Sequence, residues 1–537
     1  ARSRKTPGPL TEKRLPSTSH ETERSSTVLT FILRRLGISV LILLLATFVV
    51  YALIQFSGDP LAGMRELASD PKVRVAMEAR IRNLQLDTPW GLRYLDWLKG
   101  TSACLIGQCD LGVDVNGNDV GARLAAAADS TLRLVTLSVI LAIVIGVGIG
   151  VLTAVRQYSD LDYIVTFLAF VFFSLPVFWA AVLLKEYAAI NYNNWIADPS
   201  FSTMQVVLTA LLAGFVIQLF MGGAWKRRLF SFLATAVIVG VAMVAFTAQD
   251  FWRYPSLPPW VIALIVIGVA VFATSSAVGI KNKEGHRHVL LPALICAVLV
   301  MVVFYAGYNI FLEPTALILA IGFVLAIAVP WLLGFFLGGR LRVQAISASL
   351  ATVGVGVALT MIWHIFNAWP EFLEAKPRPI STIGSQTPNF DGGFWLQTLD
   401  RGSQILLPTI LLTVVSVASY SRYTRATMME INSQDYIRTA RAKGLPERTV
   451  ILRHAFRNAL IPIVTIVVMD FAALIGGAII TEQVFGWKGM GELFQTGLNN
   501  VDPNPVMAFV VVTGGIAVLF NLLADVIYAL IDPRIRV

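Results

Sequence analysis

The chain has 537 residues, 42 of them Lys or Arg and 33 Asp or Glu, for a formal charge of +9; 56% are hydrophobic and only 14% are charged. A soluble domain is roughly 45–50% apolar and about 25% charged, so an ordinary soluble enzyme is excluded and repeated membrane spans are indicated. Three cysteines exclude a disulfide-stapled scaffold or a cysteine-rich metal centre, and the apolar majority excludes disorder over most of the chain.

Residues 1–27 are rich in Ser, Thr, Pro and charge and read as a disordered cytoplasmic tail. Arg34-Arg35 then precedes an apolar run at 36–56. That run exceeds the roughly 7–15 residues of a signal-peptide core and lacks a small-residue cleavage site, so an uncleaved signal-anchor is expected. A hydrocarbon layer of about 30 Å takes roughly 20 helical residues. Further runs of that kind fall at 130–155, 163–184, 204–224, 229–249, 260–280, 289–311, 316–338, 343–366, 404–420, 459–480 and 505–531, giving twelve spans with the first. The expected fold is an all-α polytopic membrane protein. Between the first two spans, segment 57–129 carries Cys104 and Cys109 in a C-x4-C spacing. In an oxidising compartment this reads either as a local disulfide or as two free thiols. Cys296, inside a span, reads as a small core residue.

Orientation follows from the placement of base, since cytoplasmic loops collect Lys and Arg. With a cytoplasmic N-terminus, Lys226-Arg227-Arg228, Lys281, Lys283, Arg287, Arg340 and Arg342 all fall inside. Loop 421–458 falls inside too, with Arg422, Arg425, Arg438, Arg441, Lys443, Arg448, Arg453 and Arg457 set against Glu430, Asp435 and Glu447. The connection 250–259 holds one Arg and 312–315 none. Twelve spans return residues 532–537 to the cytoplasm.

Chemistry-bearing motifs are scarce. No G-x-x-x-x-G-K-[ST] loop and no H-E-x-x-H occurs, so no ATP site, metal site or catalytic residue is expected in this chain. His20, His286, His288, His364 and His454 are scattered; His286 and His288 read as a solvated loop pair, and His364 as interfacial at a span end. Asp470 lies mid-span and reads either as a translocation-path residue or as a hydrogen-bonded structural carboxylate. Asp525 reads as interfacial. Gly476 and Gly477 read as packing glycines, with the path as the alternative.

The most informative stretch is 430–462. It predicts a helix over about 433–443, capped by Asn432 or Ser433, with Asp435 at the positive end of the dipole and Arg438, Arg441 and Lys443 at the negative end. Gly444 suits a left-handed stop, and Pro446 suits the start of a second helix. Thr439, Ala440, Ala442 and Gly444 are small, so a partner's surface can approach the backbone.

The run Asp435-Tyr436-Ile437-Arg438-Thr439-Ala440-Arg441-Ala442-Lys443-Gly444-Leu445 resembles the coupling motif of permease subunits of ABC importers, in its dipeptide/oligopeptide/nickel form. Arg453-His454-Ala455-Phe456-Arg457-Asn458, leading to Pro462, is similar to the same branch. So are Gly58-Asp59-Pro60, Leu86-Asp87-Thr88-Pro89-Trp90 and Asp110-Leu111-Gly112 in the first outside segment, Ser174-Leu175-Pro176-Val177-Phe178-Trp179 in the third span, and Asn521 to Arg536 at the end. The generic importer motif begins Glu-Ala-Ala, where this chain has Arg438-Thr439-Ala440. The resemblance implies a permease core made of residues 28–190 and 390–537, with the coupling loop at 421–458. Residues 191–389 are an insertion holding six of the expected spans. Six is even, so the insertion leaves the orientation of the coupling loop unchanged.

By resemblance, the chain is a non-catalytic subunit of an ATP-driven importer that moves di- or oligopeptides across the cytoplasmic membrane of a prokaryote. Its implied partners are a second homologous permease, two cytoplasmic ATPase subunits or one fused ATPase, an extracytoplasmic substrate-binding protein and membrane lipid, without nucleic acid. ATP and Mg would sit on the ATPases. The residues implied in ATPase coupling are Asp435, Tyr436, Arg438, Thr439, Ala440, Ala442, Lys443, Gly444, Leu445, Arg453, His454 and Asn458. Candidates for the translocation path are Ser174, Pro176, Asp470, Gly476 and Gly477. Nickel chelates and other small solutes remain open as cargo. A twelve-span secondary transporter and a non-transporting scaffold are the rivals; the first would carry an internal repeat, and none is visible. The insertion reads as a peripheral bundle, a site for lipid or another subunit, or a second path.

Overall fold

The computed structural model describes residues 19–221, 224–279 and 283–531. Residues 1–18, Lys281-Asn282 of the expected basic loop and the end 532–537 lie outside the described residues, as do the side chains of His20, Lys283, His286 and Asp525. In chain order the principal helices are α1 (Ser19–Ser57), α2 (Pro71–Asn83), α3 (Trp90–Ser102), α4 (Val120–Ala142), α5 (Gly148–Val155), α6 (Asp160–Ser174) and α7 (Val177–Lys185). The insertion contributes α8 (Thr203–Met221), α9 (Trp225–Ala248), α10 (Pro259–Val278), α11 (Lys283–Ala306), α12 (Ala316–Leu337) and α13 (Arg342–Ala375). Then come α14 (Phe394–Asn432), α15 (Asp435–Ala442), α16 (Arg457–Gly477), α17 (Ile479–Phe485), α18 (Met490–Asn499) and α19 (Pro503–Ile531). Among the described residues there is no strand, only an isolated bridge between Val113 and Asp119.

Among the described residues, eleven helices are long and apolar enough to cross a membrane, twelve if α6 and α7 count as one span. The chain is therefore an all-α, multi-pass membrane protein, and each of the six runs expected between 191 and 389 is a helix. Three details differ from expectation. Helix α1 begins at Ser19, inside the stretch read as a disordered tail; once a helix is nucleated, each added residue gains a hydrogen bond, so an apolar helix extends cheaply into polar sequence. The short run at 404–420 is the middle of a 39-residue helix, so Arg422 and Arg425 ride on α14 instead of a loop. The third run is not straight: α6 and α7 meet at 101°. Pro176 has no N–H to continue the helix and pushes Leu175 into an extended conformation (φ −73°, ψ 125°).

By packing, the chain falls into two units. The first comprises residues 1–135, 431–479 and 489–537. In it, α19 packs against α1, α16 and α18. Tyr51, Tyr94, Trp97 and Met507 form a buried cluster that seats the α3 helix on α1 and α19. The Thr47 and Tyr94 hydroxyls meet at 3.1 Å inside it, so the two buried polar groups satisfy each other. Cys104 and Cys109 are joined as a disulfide just beyond α3.

The second unit comprises residues 136–430 and 480–488. This division follows packing, whereas the segments above follow resemblance. A π-turn at Ile143–Val147 joins α4 to α5, and this joint lies against α14. A side chain at Gly146 would meet the Tyr420 Cβ at 2.9 Å, and one at Gly150 would meet the Thr424 Cβ at 2.5 Å. Glycine is what allows these helices to approach so closely. Helices α8 and α9 form a hairpin, and α10, α11, α12 and α13 form a bundle. Ala270, Ala293, Ala345 and Ala348 pack with Val289 at one of its contacts. Apolar residues cover much of the outside of both groups, including Phe230, Phe272, Phe323 and Phe336, as expected of helices facing lipid. His364 is buried: α13 continues past it to Ala375, and its ring stacks on Trp395 at 4.9 Å.

The insertion's two ends meet. The Asn193 amide donates to the Ile380 carbonyl at 2.8 Å and its oxygen accepts from the Ile380 N–H at 3.0 Å.

Candidate functional site

Two residues separate α14 from α15, and the turn is built by backbone groups. Gln434 is extended (ψ 149°), and its carbonyl accepts from Ile437 and Arg438. Gln434 holds the N-cap position without a side-chain cap bond, and the Asn432 Oδ1 has no partner among the described residues, so Asn432 does not take the expected role. Asp435 occupies the first turn, where its charge suits the helix dipole. Ile437 and Ala440, three residues apart, are the buried face, with Ile437 fully enclosed. Asp435, Tyr436, Arg438, Thr439, Arg441 and Ala442 face outward.

The other end stops as the glycine predicts. Gly444 is left-handed (φ 75°), its N–H donates to Arg441, and the Leu445 N–H donates to Ala440. This is the two-bond helix stop that favours glycine. Pro446 leads into the short helix Glu447–Thr449. Arg441 clasps Glu447 through its Nε and Nη2, the latter 2.8 Å from Oε1. The Glu447 carboxylate thereby raises the Arg441 pKa further above its ordinary value. Both partners are about half exposed, so the clasp contributes only about 0–1 kcal/mol; its effect is to fix the angle between two short helices.

A π-turn at Val450–Phe456 follows, carrying Arg453 and His454. Asn458 donates to the Tyr436 hydroxyl at 3.0 Å and to the His454 carbonyl at 3.0 Å, bracing α15 against the start of α16. The structure thus brings Tyr436, Arg441, Gly444, His454 and Asn458 into one hook. Its outer surface adds Arg438, Lys443, Leu445, Arg448 and Arg453, all exposed. This outer surface is exposed and mostly basic.

The path candidates are less concentrated. Ser174 and Pro176 are exposed at the break between α6 and α7. Asp470 is half-buried on α16, and Gly477 ends that helix. Gly476 faces Thr513 of α19, where a side chain would meet ordinary contact at 3.7 Å; its position is that of a packing glycine.

A sequence profile of the family described as binding-protein-dependent transport system inner membrane component matches residues 146–537. The chain belongs to this family. Among similar proteins, the oligopeptide transport system permease protein OppB of Mycobacterium tuberculosis is 44% identical over 154 residues, covering 29% of this chain and 47% of the relative. The probable peptide ABC transporter permease protein y4tP of Sinorhizobium fredii is 35% identical over 214 residues, covering 36% and 68%. The glutathione transport system permease protein GsiC of Escherichia coli K12 is 36% identical over 191 residues, covering 33% and 61%. The chain spans about half the length of the OppB proteins it matches.

Two charged clusters in this binding-protein-dependent permease escaped the sequence reading. Asp162, only 2% exposed, is held by Arg425 through paired bonds of 2.7 and 2.9 Å, and also accepts from the Tyr158 N–H. It ties the turn before α6 to α14, seven residues from the end of that helix. No local signal announces a pair 263 residues apart. The second cluster joins segment 110–120 to the start of α19. Asp502 accepts from the Val115 and Asn504 N–H groups, and Asn504 donates to the Val113 carbonyl at 2.7 Å. Asp114 is buried beside it, bonded by Asn116, Asn118 and Arg123.

The two carboxyls diverge. Burial pushes the Asp502 pKa up to about 6; the Val115 and Asn504 bonds oppose this, Asp114 adds to it and Arg123 reduces it. Burial also raises Asp114, but the bonds from Asn118, Asn116 and Arg123 outweigh it and hold that carboxyl below its usual range. Folded Asp502 therefore keeps its proton up to about pH 6, whereas an unfolded aspartate keeps it to about pH 4. The stability it contributes is fully present at the low end of that window and falls as pH rises through it, by about 3 kcal/mol in all. Hydrogen-exchange protection at the Val115 and Asn504 amides, corrected for intrinsic rates, is expected to drop between pH 4 and 6. Constant protection across that range would refute the assignment.

Proposed function

We propose that this protein is one transmembrane subunit of an ATP-driven importer that carries peptides inward across a prokaryotic cytoplasmic membrane. The observation that carries the reading is the exposed, braced hook around α15, in a chain of the binding-protein-dependent family. Names of similar proteins, which specify oligopeptide, peptide and glutathione transport, support a peptide-like cargo.

In this proposal both termini are cytoplasmic, and the hook faces the cytoplasm with Tyr436, Arg438, Thr439 and Lys443 toward an ATPase. A second homologous permease completes the pore, a substrate-binding protein delivers cargo from outside, and two ATPase subunits or one fused ATPase hold ATP and Mg. ATP can drive the spans only by the difference with which it favours one arrangement over the other. A hook whose angles are fixed by Gly444, Arg441–Glu447 and Asn458–Tyr436 would pass that difference on with little loss. Within the second unit we assign the break at Leu175-Pro176, with Ser174, to the path; the mid-span Asp470 of the first unit is a separate candidate. The insertion serves as a bundle at the permease's periphery.

Purification from native membranes tests the reading. ATPase subunits and a second permease should accompany the chain, and the reconstituted assembly should take up labelled peptide only with ATP. Isolation of the chain alone, with uptake driven by a proton gradient, would sink it.

A further inference from the structure

A cavity of about 540 Å³ opens between residues 190–194 and the loop 376–388. Its volume lies within the roughly 300–1,000 Å³ of small-ligand sites. Lys376 and Arg378 line it, with Asn193, Asn194, Ser381, Thr382, Gln386 and Thr387, and no acidic side chain is among the lining residues. Ile190, Ile380, Ile383 and Pro388 supply apolar wall.

The wall is built, not incidental. Asn193 clamps the Ile380 backbone from both sides. The Lys376 amine bonds Asp400 at 2.9 Å and Ser381 at 2.7 Å, and Thr387 bonds Asp400 at 2.6 Å. The Gly384 N–H donates to the Phe485 carbonyl at 2.8 Å, which fixes the loop to a segment outside the insertion. Asp400 neutralises Lys376, so the cavity's net charge comes from Arg378. That guanidinium is exposed and makes no ion pair among the described residues; the side chains of Asn194, Thr382 and Gln386 likewise make no hydrogen bond among them. An open cation in one cavity with the unbonded amides of Asn194 and Gln386 and the Thr382 hydroxyl, beside an aliphatic wall, suits a carboxylate attached to an apolar body.

We propose that this cavity binds the C-terminal carboxylate of a short peptide. The choice of a peptide rests on the importer reading, whereas the preference for a carboxylate rests on the cavity alone. The fork of Arg378 holds the carboxylate, Asn194 and Gln386 bond the last peptide groups, and Ile190 and Ile383 cover the side chain.

Equilibrium binding of trialanine and of its C-terminal amide to the purified full chain tests this. Trialanine should bind saturably, and about tenfold or more weakly after Arg378→Ala, reflecting the loss of bonds to a charged group. The amide should bind weakly to both proteins. Equal binding of acid and amide, or unchanged trialanine binding in Arg378→Ala, overturns the proposal. Displacement of trialanine by inorganic phosphate at equal affinity overturns the carboxylate preference too. Peptide uptake by the assembled importer that persists while Arg378→Ala binds like wild type removes the cavity site and leaves the transport reading standing. Binding with the predicted pattern, but no ATP-dependent uptake, does the reverse.

Discussion

Gly444→Pro is expected to reduce ATP-dependent peptide uptake by about tenfold or more while leaving membrane insertion unchanged. Proline fixes φ near −65°, and this position sits at +75°. The substitution also removes the N–H that donates to Arg441. It further disfavours the helical conformation of the preceding residue, Lys443, which is helical here (φ −73°, ψ 0°). The helix stop therefore cannot form, the Arg441–Glu447 clasp loses its geometry, and the hook no longer offers one fixed surface. Gly444→Ala is the control: its side chain would meet nothing within 4 Å, so only the left-handed backbone is penalised, by about 1–2 kcal/mol. ATP hydrolysis and uptake should separate in the proline variant and stay coupled in the alanine variant. Wild-type uptake by Gly444→Pro would count decisively against a coupling role for this loop.

Arg425→Ala is expected to destabilise the chain by about 3–5 kcal/mol, because it strands a buried carboxylate. Asp162 has almost no access to solvent, and its remaining donors are the Tyr158 N–H and a long contact from the Thr166 hydroxyl. Adding Asp162→Asn to the variant should recover most of the loss, since it is the unpaired charge that is costly. Thermal unfolding of the detergent-solubilised proteins measures both. A single variant as stable as wild type, or a double variant no better than the single, would show that the pair contributes little.

How much of this was legible in the sequence depends on what each segment faces. Helices α8 to α13 turn broad apolar surfaces outward, so hydropathy alone located all six. Helix α14 was the least legible span, because its buried positions include Ser403, Gln404, Thr409, Thr413, Ser416, Ser421 and Thr424. Packed against protein, such residues form a good interior, yet in a linear scan they look like the end of a span. The hook was legible at its far end, where Gly444 and Pro446 each have one conformational meaning, and less so at its near end, where the helix starts at Gln434, one or two residues beyond the expected cap. The bend at Pro176 was visible as a residue but was absorbed into a straight run, since the apolar pattern continues on both sides. The Asp162–Arg425 pair, the Asp502 cluster and the cavity wall join residues far apart in the chain, and no local pattern encodes them.

The clamp of Asn193 on Ile380 bears on how such a chain can arise. Where an added stretch begins and ends at one amide, the scaffold sees the same two attachment points whatever the length between them. Lengthening a closed excursion adds entropy cost only slowly, roughly with the logarithm of its length. An ancestral connection at this place could thus grow from a short turn into six helices by stepwise gain, each stage leaving the flanking spans in register. The same amide marks where a genetic engineer would cut to restore the shorter form, or graft a different bundle in its place.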